Sequence, residues 1–441
     1  MVKKIFSLAS LSLCTIGFSQ SLDSKKLDEY FKTLEDNHKI MGSFAIAKDD
    51  KIIYTKAIGF ADAENNKLAD VNTVYRIGSI SKTFTAVLIM KAVEENKLSL
   101  TDKLSIFFPE VKNADKISIE NLLQHRSGIH DFMNDENFIP ATYKPYSQKE
   151  ILDLIVKTES DFEPGTKYDY SNSNYILLAL ILEKVNKKSY SDLLSDKITI
   201  PLQLTHTKVG GKINSKNNEA NSYLYFRNQY EKQSETDMSV VLGTGNLVST
   251  PKELLLFIIA LENGKLVTKE SLATMKNYKD HYGFGIAEVP FNGKRGFGHN
   301  GRIDEFQSVI YYFPDEKVSI TGITNQSNYD NNDISIKTLS AAYGLNFNIP
   351  SFTSIQVSEA EIRPFVGLYS HPKFPMKINI FIENGKLMAQ GTGQDSFPLD
   401  ATSKNSFKFD ETGITLEFNA EKNEMRYQQI GQDLIFNKEQ Q

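Results

Sequence analysis

Alternating apolar and polar residues in two distant parts of the chain predict two β-hairpins. In each hairpin two alternating stretches flank a short polar turn, namely 43–47 and 52–58 around 48–51, and 307–312 and 318–323 around 314–316. Patterns typical of helices fill most of the region between the hairpins. Such an arrangement predicts one antiparallel sheet built from distant parts of the chain, with a helical lobe inserted between them. The predicted fold class is therefore mixed α/β, an antiparallel sheet flanked by helices.

Two helices of the predicted lobe begin at capping boxes, in which a Ser or Thr and a Glu three residues later bond each other's backbone N–H groups. Ser147 and Glu150 form one box, and Thr250 and Glu253 form the other. Pro251 follows Thr250 at the first helical position, where its missing N–H does no harm.

The chain changes character towards its end. The segment 346–361 has no clear period and contains Pro350, which predicts a linker. Beyond it, short alternating stretches flank Asn384-Gly385, a dipeptide favoured in tight hairpin turns because both positions accept positive φ. We therefore predict a main domain over 20–345 and a small antiparallel β domain over 362–441. The sequence leaves two roles open for this β domain, a lid or wall beside the functional site or a dimerisation surface.

The first residues match a secretory signal peptide over 1–19. Lys3 and Lys4 precede an apolar run over 5–18, and small residues occupy the cleavage positions up to Ser19. Cleavage there predicts a periplasmic or secreted protein.

Cys14 lies in the apolar part of that segment and is the only cysteine. Cleavage would leave Gln20 as the first residue, so the mature chain would contain no disulfide and no zinc thiolate. A lipoprotein is disfavoured, because Leu13 stands where lipid attachment to Cys14 requires a small residue.

Charge and composition exclude several classes of function. The chain has 50 Lys and Arg against 55 Asp and Glu and a net charge of −5. Since no long basic stretch occurs, nucleic acid is not an expected partner. The 7 histidines show no ligand spacing, and neither a P-loop nor an H-E-x-x-H zinc motif is present. We therefore expect no metal or other cofactor, and the expected partner is a small-molecule or peptide substrate.

Three serines stand three residues before a lysine, at Ser79, Ser249 and Ser370. Two of them have ordinary explanations, because Ser249 precedes a helix cap and Ser370 lies at a turn of the β domain. Ser79 differs, since no charged residue occurs between Lys82 and Lys91. This pattern predicts a buried helix with a serine and a lysine at its start.

Residues three apart on a helix share one face, so the amine of Lys82 can reach the hydroxyl of Ser79. The free N–H groups at the start of a helix also favour negative charge that develops there. A lysine titrates near ~10.4 in water and must lose about three units to act as a base near neutrality. Burial shifts the pKa of a lysine in that direction. Ser79 and Lys82 are therefore a candidate nucleophile and base.

Two further motifs follow in order, Tyr170-Ser171-Asn172 and His299-Asn300-Gly301. Together with the Ser79 motif they resemble the serine hydrolases related to penicillin-binding proteins and class C β-lactamases. The resemblance extends over roughly 46–342 and includes the stretch 122–128. It implies the β-lactamase/transpeptidase-like fold, and a family that contains D-alanyl-D-alanine carboxypeptidases, D-aminopeptidases and esterases.

The resemblance implies that Ser79 attacks a carbonyl group and that either Lys82 or Tyr170 accepts its proton. The choice between these two bases stays open. Tyr170 would also protonate the leaving group, for which a neighbouring cation such as Lys82 has to lower the pKa of the phenol.

Substrate contacts are also implied by the resemblance. Asn172, His299 and Gly301 contact the substrate, and the backbone N–H groups of Ser79 and Arg302 form the oxyanion hole. His299 stands where β-lactamases usually carry a permanently charged lysine, and it would hold a substrate carboxylate less strongly at neutral pH. The pattern therefore favours D-amino-acid peptidases and esterases over β-lactamases.

The sequence thus predicts a serine hydrolase that cleaves an amide or ester bond through an acyl-enzyme on Ser79. A D-amino-acid-containing peptide is the expected substrate, with a D,D-carboxypeptidase or D-aminopeptidase type of activity. A carboxylesterase or a weak β-lactamase is the alternative within the same chemistry. The alternative of another class is a catalytically inactive peptide-binding protein that retains the cleft.

Overall fold

The computed structural model describes residues 22–135, 138, 142–226, 228–429 and 432–439. The predicted signal peptide and Cys14 lie outside the described residues. The α-helices of the described residues are α1 Ser24–Asp36, α2 Ser81–Glu94, α3 Ile119–Leu123, α4 Gln148–Lys157, α5 Asn172–Asn186, α6 Tyr190–Leu194, α7 Ile200–Leu202, α8 Pro251–Glu262, α9 Lys269–Met275, α10 Asn331–Ala342 and α11 Glu359–Ile362. None of these helices is both long and apolar enough to cross a membrane.

The β-strands of the described residues are β1 Ile40–Lys48, β2 Lys51–Ile58, β3 Phe60–Asp62, β4 Lys67–Leu68, β5 Tyr75–Arg76, β6 Lys208–Val209, β7 Tyr223–Phe226, β8 Gln229–Lys232, β9 Leu247–Ser249, β10 Ala287–Phe291, β11 Lys294–Ile303, β12 Phe306–Phe313, β13 Val318–Ser327, β14 Gly367–Ser370, β15 Ile378–Glu383, β16 Lys386–Gly391, β17 Ser396–Pro398, β18 Asp400–Ala401, β19 Ser406–Phe409, β20 Ile414–Asn419, β21 Glu424–Gln429 and β22 Gln432–Lys438.

A six-stranded antiparallel sheet, which we call the first sheet, has the strand order β10-β11-β12-β13-β1-β2. β1 pairs with β2, and β12 pairs with β13, which confirms both predicted hairpins. β1 also pairs antiparallel with β13, so the two distant hairpins lie side by side in one sheet. The predicted fold class, an antiparallel sheet flanked by helices, is therefore confirmed.

Helices cover both faces of the first sheet, which explains why β1 and β13 are buried along almost their whole length. Alternate residues of β1 enter different clusters of the core, as the pleat of a strand requires. On one face, Phe31 of α1 stacks on Phe44 with 4.2 Å between ring centroids. On the other face, Phe84 of α2 stacks on Phe257 of α8 at 3.7 Å. The helix that follows Ser79 is thus inside the protein, as its uncharged sequence predicts.

The two predicted capping boxes differ in the structure. Ser147 and Glu150 form the complete box at the start of α4. At α8 the hydroxyl of Thr250 accepts the N–H of Glu253, but the Glu253 carboxylate turns to the hydroxyl of Thr207 at 2.6 Å. The prediction of a complete second box is wrong, because a buried hydroxyl from another segment competes for the carboxylate.

A second sheet fills the end of the chain, with nine strands in the order β17-β16-β15-β14-β22-β21-β20-β19-β18. Asn384 and Gly385, with φ of 51° and 75°, form the turn between β15 and β16 that the sequence predicts. Residues 346–357 contain no helix or strand, and α11 begins inside the predicted linker. The division of the chain into domains stays a prediction.

One turn of the second sheet lies against the main part of the chain. Asp410, between β19 and β20, pairs with Lys39 at 2.8 Å. Burial raises the pKa of Glu305, and the charge of Glu411 on the same turn adds to this rise. Glu305 follows β11 and lies three residues from Arg302, and the role of the second sheet beside the site stays a prediction.

Candidate active site

Ser79 lies at the entrance of the buried helix α2. It occupies a short 3-10 turn, Gly78–Ile80, that leads directly into the helix. Every residue of α2 from Ser81 to Met90 is buried, whereas Ser79 is partly exposed. The serine hydroxyl is therefore open to a substrate, while the side chains behind it are shielded from water.

Lys82 approaches this serine from within the helix. Its Nζ lies 3.0 Å from Ser79 Oγ, 2.8 Å from Asn172 Oδ1 and 3.1 Å from the carbonyl oxygen of Thr244. Burial lowers the pKa of Lys82 to about 7, against the opposing effect of the Asp131 charge. A neutral amine has two N–H groups and one lone pair, so it can donate to Asn172 and Thr244 and accept the proton of Ser79.

Tyr170 borders the same pair of residues. Its ring centroid is 4.8 Å from Lys82 Nζ, and its hydroxyl bonds to the Ser79 side chain. Burial raises the pKa of Tyr170, and the bond to Ser79 offsets only part of the rise. The expectation that a neighbouring cation lowers this pKa is therefore wrong, because desolvation is the larger effect. Tyr170 is a neutral phenol at pH 7, which favours Lys82 over Tyr170 as the base.

Asn172 bridges an amine and a carboxylate. Its Oδ1 accepts hydrogen bonds from Lys82 and from the hydroxyl of Thr244, each at 2.8 Å. Its Nδ2 donates to Asp131 Oδ2 at 2.8 Å, and Asp131 is 5% exposed. Sequence reasoning missed Asp131 and Thr244, because nothing local distinguishes them from other aspartates and threonines. The one available indication was that Asp131 follows closely after the stretch 122–128.

A buried histidine supports the Tyr170-Ser171-Asn172 segment. The Nδ1 of His125 accepts the N–H of Ser171 at 3.1 Å, and its ring stacks on Tyr170 with 4.2 Å between centroids. Burial lowers the pKa of His125 well below its ordinary value, so the ring is neutral. His125 belongs to the family-like stretch 122–128, for which the sequence indicated no role.

His299 lies in β11 and is 4% exposed. Burial, and then the charge of Lys82, lowers the pKa of His299 to about 4. Its Nδ1 faces the carbonyl oxygen of Asn300, and its Nε2 lies 2.9 Å from the hydroxyl of Tyr282. A carbonyl oxygen only accepts, so Nδ1 carries the proton and Tyr282 donates to Nε2. Both nitrogens of this neutral ring are therefore engaged within the protein.

Two backbone segments meet beside the nucleophile without side chains between them. A Cβ at Gly301 would lie 2.2 Å from the carbonyl oxygen of Ile77 and 2.9 Å from the nitrogen of Ser79. A Cβ at Gly78, where φ is 49°, would lie 2.8 Å from the nitrogen of Arg302. Only glycine fits at these two positions. The N–H groups of Ser79 and Arg302 thus belong to segments in direct contact, as an oxyanion hole requires.

The other two serines that precede a lysine lie elsewhere in the fold. Ser249 is buried in β9, where its hydroxyl bonds to Thr207 at 2.8 Å, and Ser370 ends β14 in the second sheet. The substrate contacts of Asn172, His299 and Gly301 stay predictions. In the part of the chain that the structure describes, no group of three or more His, Cys, Asp or Glu side chains could hold a metal ion.

A family model described as Beta-lactamase matches residues 27–344, which include all three motifs of the site. The chain belongs to the beta-lactamase family. The predicted family is therefore confirmed, and with it the predicted class of enzyme, a serine hydrolase.

The chain is similar to a named enzyme in sequence and to several proteins of known structure. It is 27% identical over 319 residues to the teichoic acid D-alanine hydrolase of Staphylococcus aureus, covering 71% of this chain and 76% of that protein. A crystal structure of a D-stereospecific amidohydrolase from Streptomyces sp. is 26% identical, with a TM-score of 0.59 over 67% of this chain and 93% of that chain. The octameric penicillin-binding protein homologue from Pyrococcus abyssi is 23% identical, with a TM-score of 0.68 over 94% of this chain and 100% of that chain. This last coverage includes the second sheet, so both parts of the fold recur together in a solved structure.

The environment of Lys82 predicts how acylation depends on pH. The base acts when it is neutral, so kcat/KM should rise with pH through an apparent pKa of about 7. Asp131→Asn removes a negative charge that favours the ammonium form of Lys82 and should move the rising limb to lower pH by about one unit. The measurement is kcat/KM for an activated ester across the acidic and neutral range.

Asp135→Asn is the matched control, because Asp135 lies in the same loop but pairs with the partly exposed His130 at 3.0 Å. The pH profile of this control should equal that of the parent protein. A rising limb that stays in place, or moves to higher pH, in the Asp131 variant contradicts Lys82 as the base.

Proposed function

We propose that the protein hydrolyses an amide or ester bond of a substrate that contains a D-amino acid, through an acyl-enzyme on Ser79. The observation that carries the proposal is the distance of 3.0 Å between Ser79 Oγ and the buried amine of Lys82. An alcohol beside a neutral amine is an activated nucleophile, because the amine takes the proton as the oxygen attacks. A protein that only binds peptides gains nothing from burying a lysine at this place.

In acylation, Ser79 Oγ forms a bond to the carbonyl carbon of the substrate while its proton moves to Lys82. The carbonyl oxygen becomes an oxyanion, which the N–H groups of Ser79 and Arg302 stabilise. As this intermediate collapses, the bond to the leaving group breaks, and the hydroxyl of Tyr170 gives its proton to that group as it receives one from the ammonium of Lys82. No free phenolate forms in this relay, so the raised pKa of Tyr170 does not prevent it.

Deacylation follows the same route with water as the nucleophile. Lys82, neutral again, accepts a proton from the water that attacks the acyl carbon. The second tetrahedral intermediate occupies the same oxyanion hole. When the ester bond to Ser79 breaks, Lys82 returns the proton to the serine oxygen. Every group ends in its starting protonation state, so the cycle closes.

The relatives support a substrate with a D-amino acid. One relative is named for the hydrolysis of D-alanine from teichoic acid, and another is a D-stereospecific amidohydrolase, at 27% and 26% identity. Each is covered over more than two thirds of its length. We therefore propose a substrate with a D-amino acid. Assaying a panel of D-amino-acid amides and esters would show which of the two bonds the protein cleaves.

The state of His299 favours substrates without a free carboxylate beside the scissile bond. A carboxypeptidase or β-lactamase substrate carries such a carboxylate, which is best held by a cation with free N–H groups. The ring of His299 is neutral, and both of its nitrogens are already engaged. Arg302 offers a cation, but its side chain is 70% exposed and lies 3.9 Å from the carboxylate of Glu305, and an ion pair that is open to water contributes little. We therefore favour an aminopeptidase or esterase type of activity over a D,D-carboxypeptidase or β-lactamase type.

Replacing the nucleophile tests the acyl-enzyme directly. Ser79→Ala should abolish the stoichiometric burst of leaving group from an activated ester and lower turnover by about 10³-fold or more. Ser249→Ala is the matched control, because Ser249 also precedes a lysine by three residues, and it should keep the burst. The measurements are burst kinetics and the intact mass of the trapped acyl-enzyme.

Two other results would redirect the proposal. A burst that survives in the Ser79 variant would place the nucleophile elsewhere. A parent protein that forms no acyl-enzyme with any activated ester would favour the peptide-binding alternative.

Adding a side chain that protonates more readily than imidazole tests the argument from His299. His299→Lys should raise kcat/KM for a D-alanyl-D-alanine peptide with a free carboxylate, relative to the same peptide amidated, by about tenfold. His281→Lys, at a side chain that is 87% exposed, is the control and should leave the ratio unchanged. A parent protein that already prefers the free carboxylate contradicts the favoured substrate type.

We also propose that the protein is exported and that residues 1–19 are removed as a signal peptide. Support comes from Lys3 and Lys4 before the apolar run and from the small residues at the cleavage positions. N-terminal sequencing of the protein from the periplasmic or culture fraction should give Gln20 as the first residue. An intact Met1 on cytoplasmic protein, or a lipid-modified Cys14 in the membrane fraction, would contradict this.

A further inference from the structure

A buried ion pair flanks the candidate oxyanion hole, and the proposed mechanism uses neither of its members. Arg76 lies three residues before Ser79, and Asp304 lies two residues after Arg302. Arg76 Nη1 is 2.8 Å from Asp304 Oδ2, and each side chain is 2% exposed. Two charges are costly to bury unless the geometry satisfies both of them. The contacts around the pair therefore indicate what it holds together.

The guanidinium of Arg76 connects several parts of the chain. Besides bonding Asp304, its Nη1 donates to the carbonyl oxygen of Thr236 at 2.7 Å. Its Nη2 donates to the carbonyl oxygen of Gly211 and to the carboxylate of Glu235, each at 3.1 Å. Each Nη thus has two acceptors, which is its full capacity. A planar group held at four points is fixed in place, and so is the short strand β5 that leads to the nucleophile.

Asp304 forms the turn between β11 and β12, directly after the strand that carries Arg302. Its φ is 50°, in the left-handed region that Asp and Asn adopt more readily than other side chains. Its Oδ1 accepts the N–H of Thr236 at 2.9 Å and the hydroxyl of Thr236 at 2.8 Å. Because Oδ2 accepts from Arg76, one carboxylate ties this turn to the guanidinium.

The segments beside the pair carry the two backbone donors. They meet at Gly78 and Gly301, where no side chain separates the backbones. Ser308, the register partner of Gly301 in β12, donates its hydroxyl to the carbonyl oxygen of Ile77 at 2.8 Å and so links the segments at one point through the neighbouring strand. The ion pair ties them at a second point. Since glycines leave the contact itself without side chains, these two links set the distance between the segments.

We propose that the Arg76–Asp304 ion pair is a positioning device that holds the N–H groups of Ser79 and Arg302 at the spacing an oxyanion needs. The inference rests on the proposed function. Because each of the two side chains is 2% exposed, we place their effect in the backbone and not in a contact with the substrate. Donors stabilise an oxyanion only within a narrow range of distances. A looser link therefore slows the reaction in its transition state without weakening substrate binding.

Asp304→Asn removes the charge while keeping the turn, because Asn also tolerates a φ of 50° and its Oδ1 can still accept from Thr236. The kcat for an activated ester should fall by about 10-fold to about 10²-fold, somewhat less than for a missing donor, while KM changes by less than about twofold. Affinity for a boronic acid, which mimics the tetrahedral intermediate on Ser79, should fall by the same factor as kcat. The pH at which kcat/KM rises should stay unchanged, because the pair does not contact Lys82.

Asp433→Asn is the matched control. It breaks an Arg–Asp pair with two bonds, at 2.8 Å and 2.7 Å from Arg426, in the second sheet. This control should retain the parental kcat, KM and boronate affinity. If the Asp304 variant does not fold, Arg76→Lys serves instead, because it keeps the charge and loses the planar fork. It should show the same parallel loss of kcat and boronate affinity.

A purely structural role predicts a different result. The melting temperature would fall while kcat and boronate affinity stay within about twofold of the parent, and this outcome overturns the proposal. Failure of the proposed function is distinguishable, because the parent protein itself would then form no acyl-enzyme, and the inference would fall with it.

Discussion

The burial of one amine is the constraint on which the site depends. Lys82 is one of the buried residues of α2. Burial lowers its pKa from 10.5 to about 7, a shift that corresponds to about 5 kcal/mol in favour of the neutral amine. Asp131 opposes this shift, but its carboxylate reaches the amine only through the amide of Asn172. Desolvation is therefore the larger effect. The carboxylate raises the pKa of Lys82 part of the way back, but not enough to keep the amine charged above neutral pH. A lysine in direct contact with Asp131 would stay protonated and could not accept the proton of Ser79.

The groups around Lys82 are arranged so that none of them competes with it near neutral pH. Burial raises the pKa of Tyr170 and lowers those of His125 and His299, so one phenol and two imidazoles stay uncharged. Tyr170 and His125 stack on each other, and His299 bonds to the hydroxyl of Tyr282, so the rings shield the amine from water. The first sheet contributes the rest, because its strand β11 brings Arg302 against the turn of the nucleophile. The fold thus places a desolvated amine, a neutral phenol and two backbone N–H groups around the hydroxyl of Ser79.

The sequence predicted what local patterns encode. Alternation along the strands predicted both hairpins and their common sheet, and the spacing of Ser79 and Lys82 on an uncharged helix predicted the central pair. The role of Tyr170 was predicted only from the family resemblance. The predicted lowering of its pKa was wrong, because the burial that raises this pKa depends on contacts with residues far away in the chain. Asp131 was missed for the same reason, since its role arises from a contact across 41 residues to Asn172. Long-range polar contacts also explain the incomplete capping box, where a hydroxyl from another segment takes the carboxylate.

Direct titration of the amine tests the central claim. The Ser79→Ala variant, labelled with ¹⁵N at the lysine side chains, allows the Nζ of Lys82 to be followed by NMR as a function of pH without turnover. We expect one Nζ signal that titrates near pH 7 and that is absent from the spectrum of a Lys82→Met variant of the same protein. A Lys82 signal that keeps the ordinary lysine pKa of ~10.4 would contradict the account, because the amine would then be charged at neutral pH and unable to accept the serine proton.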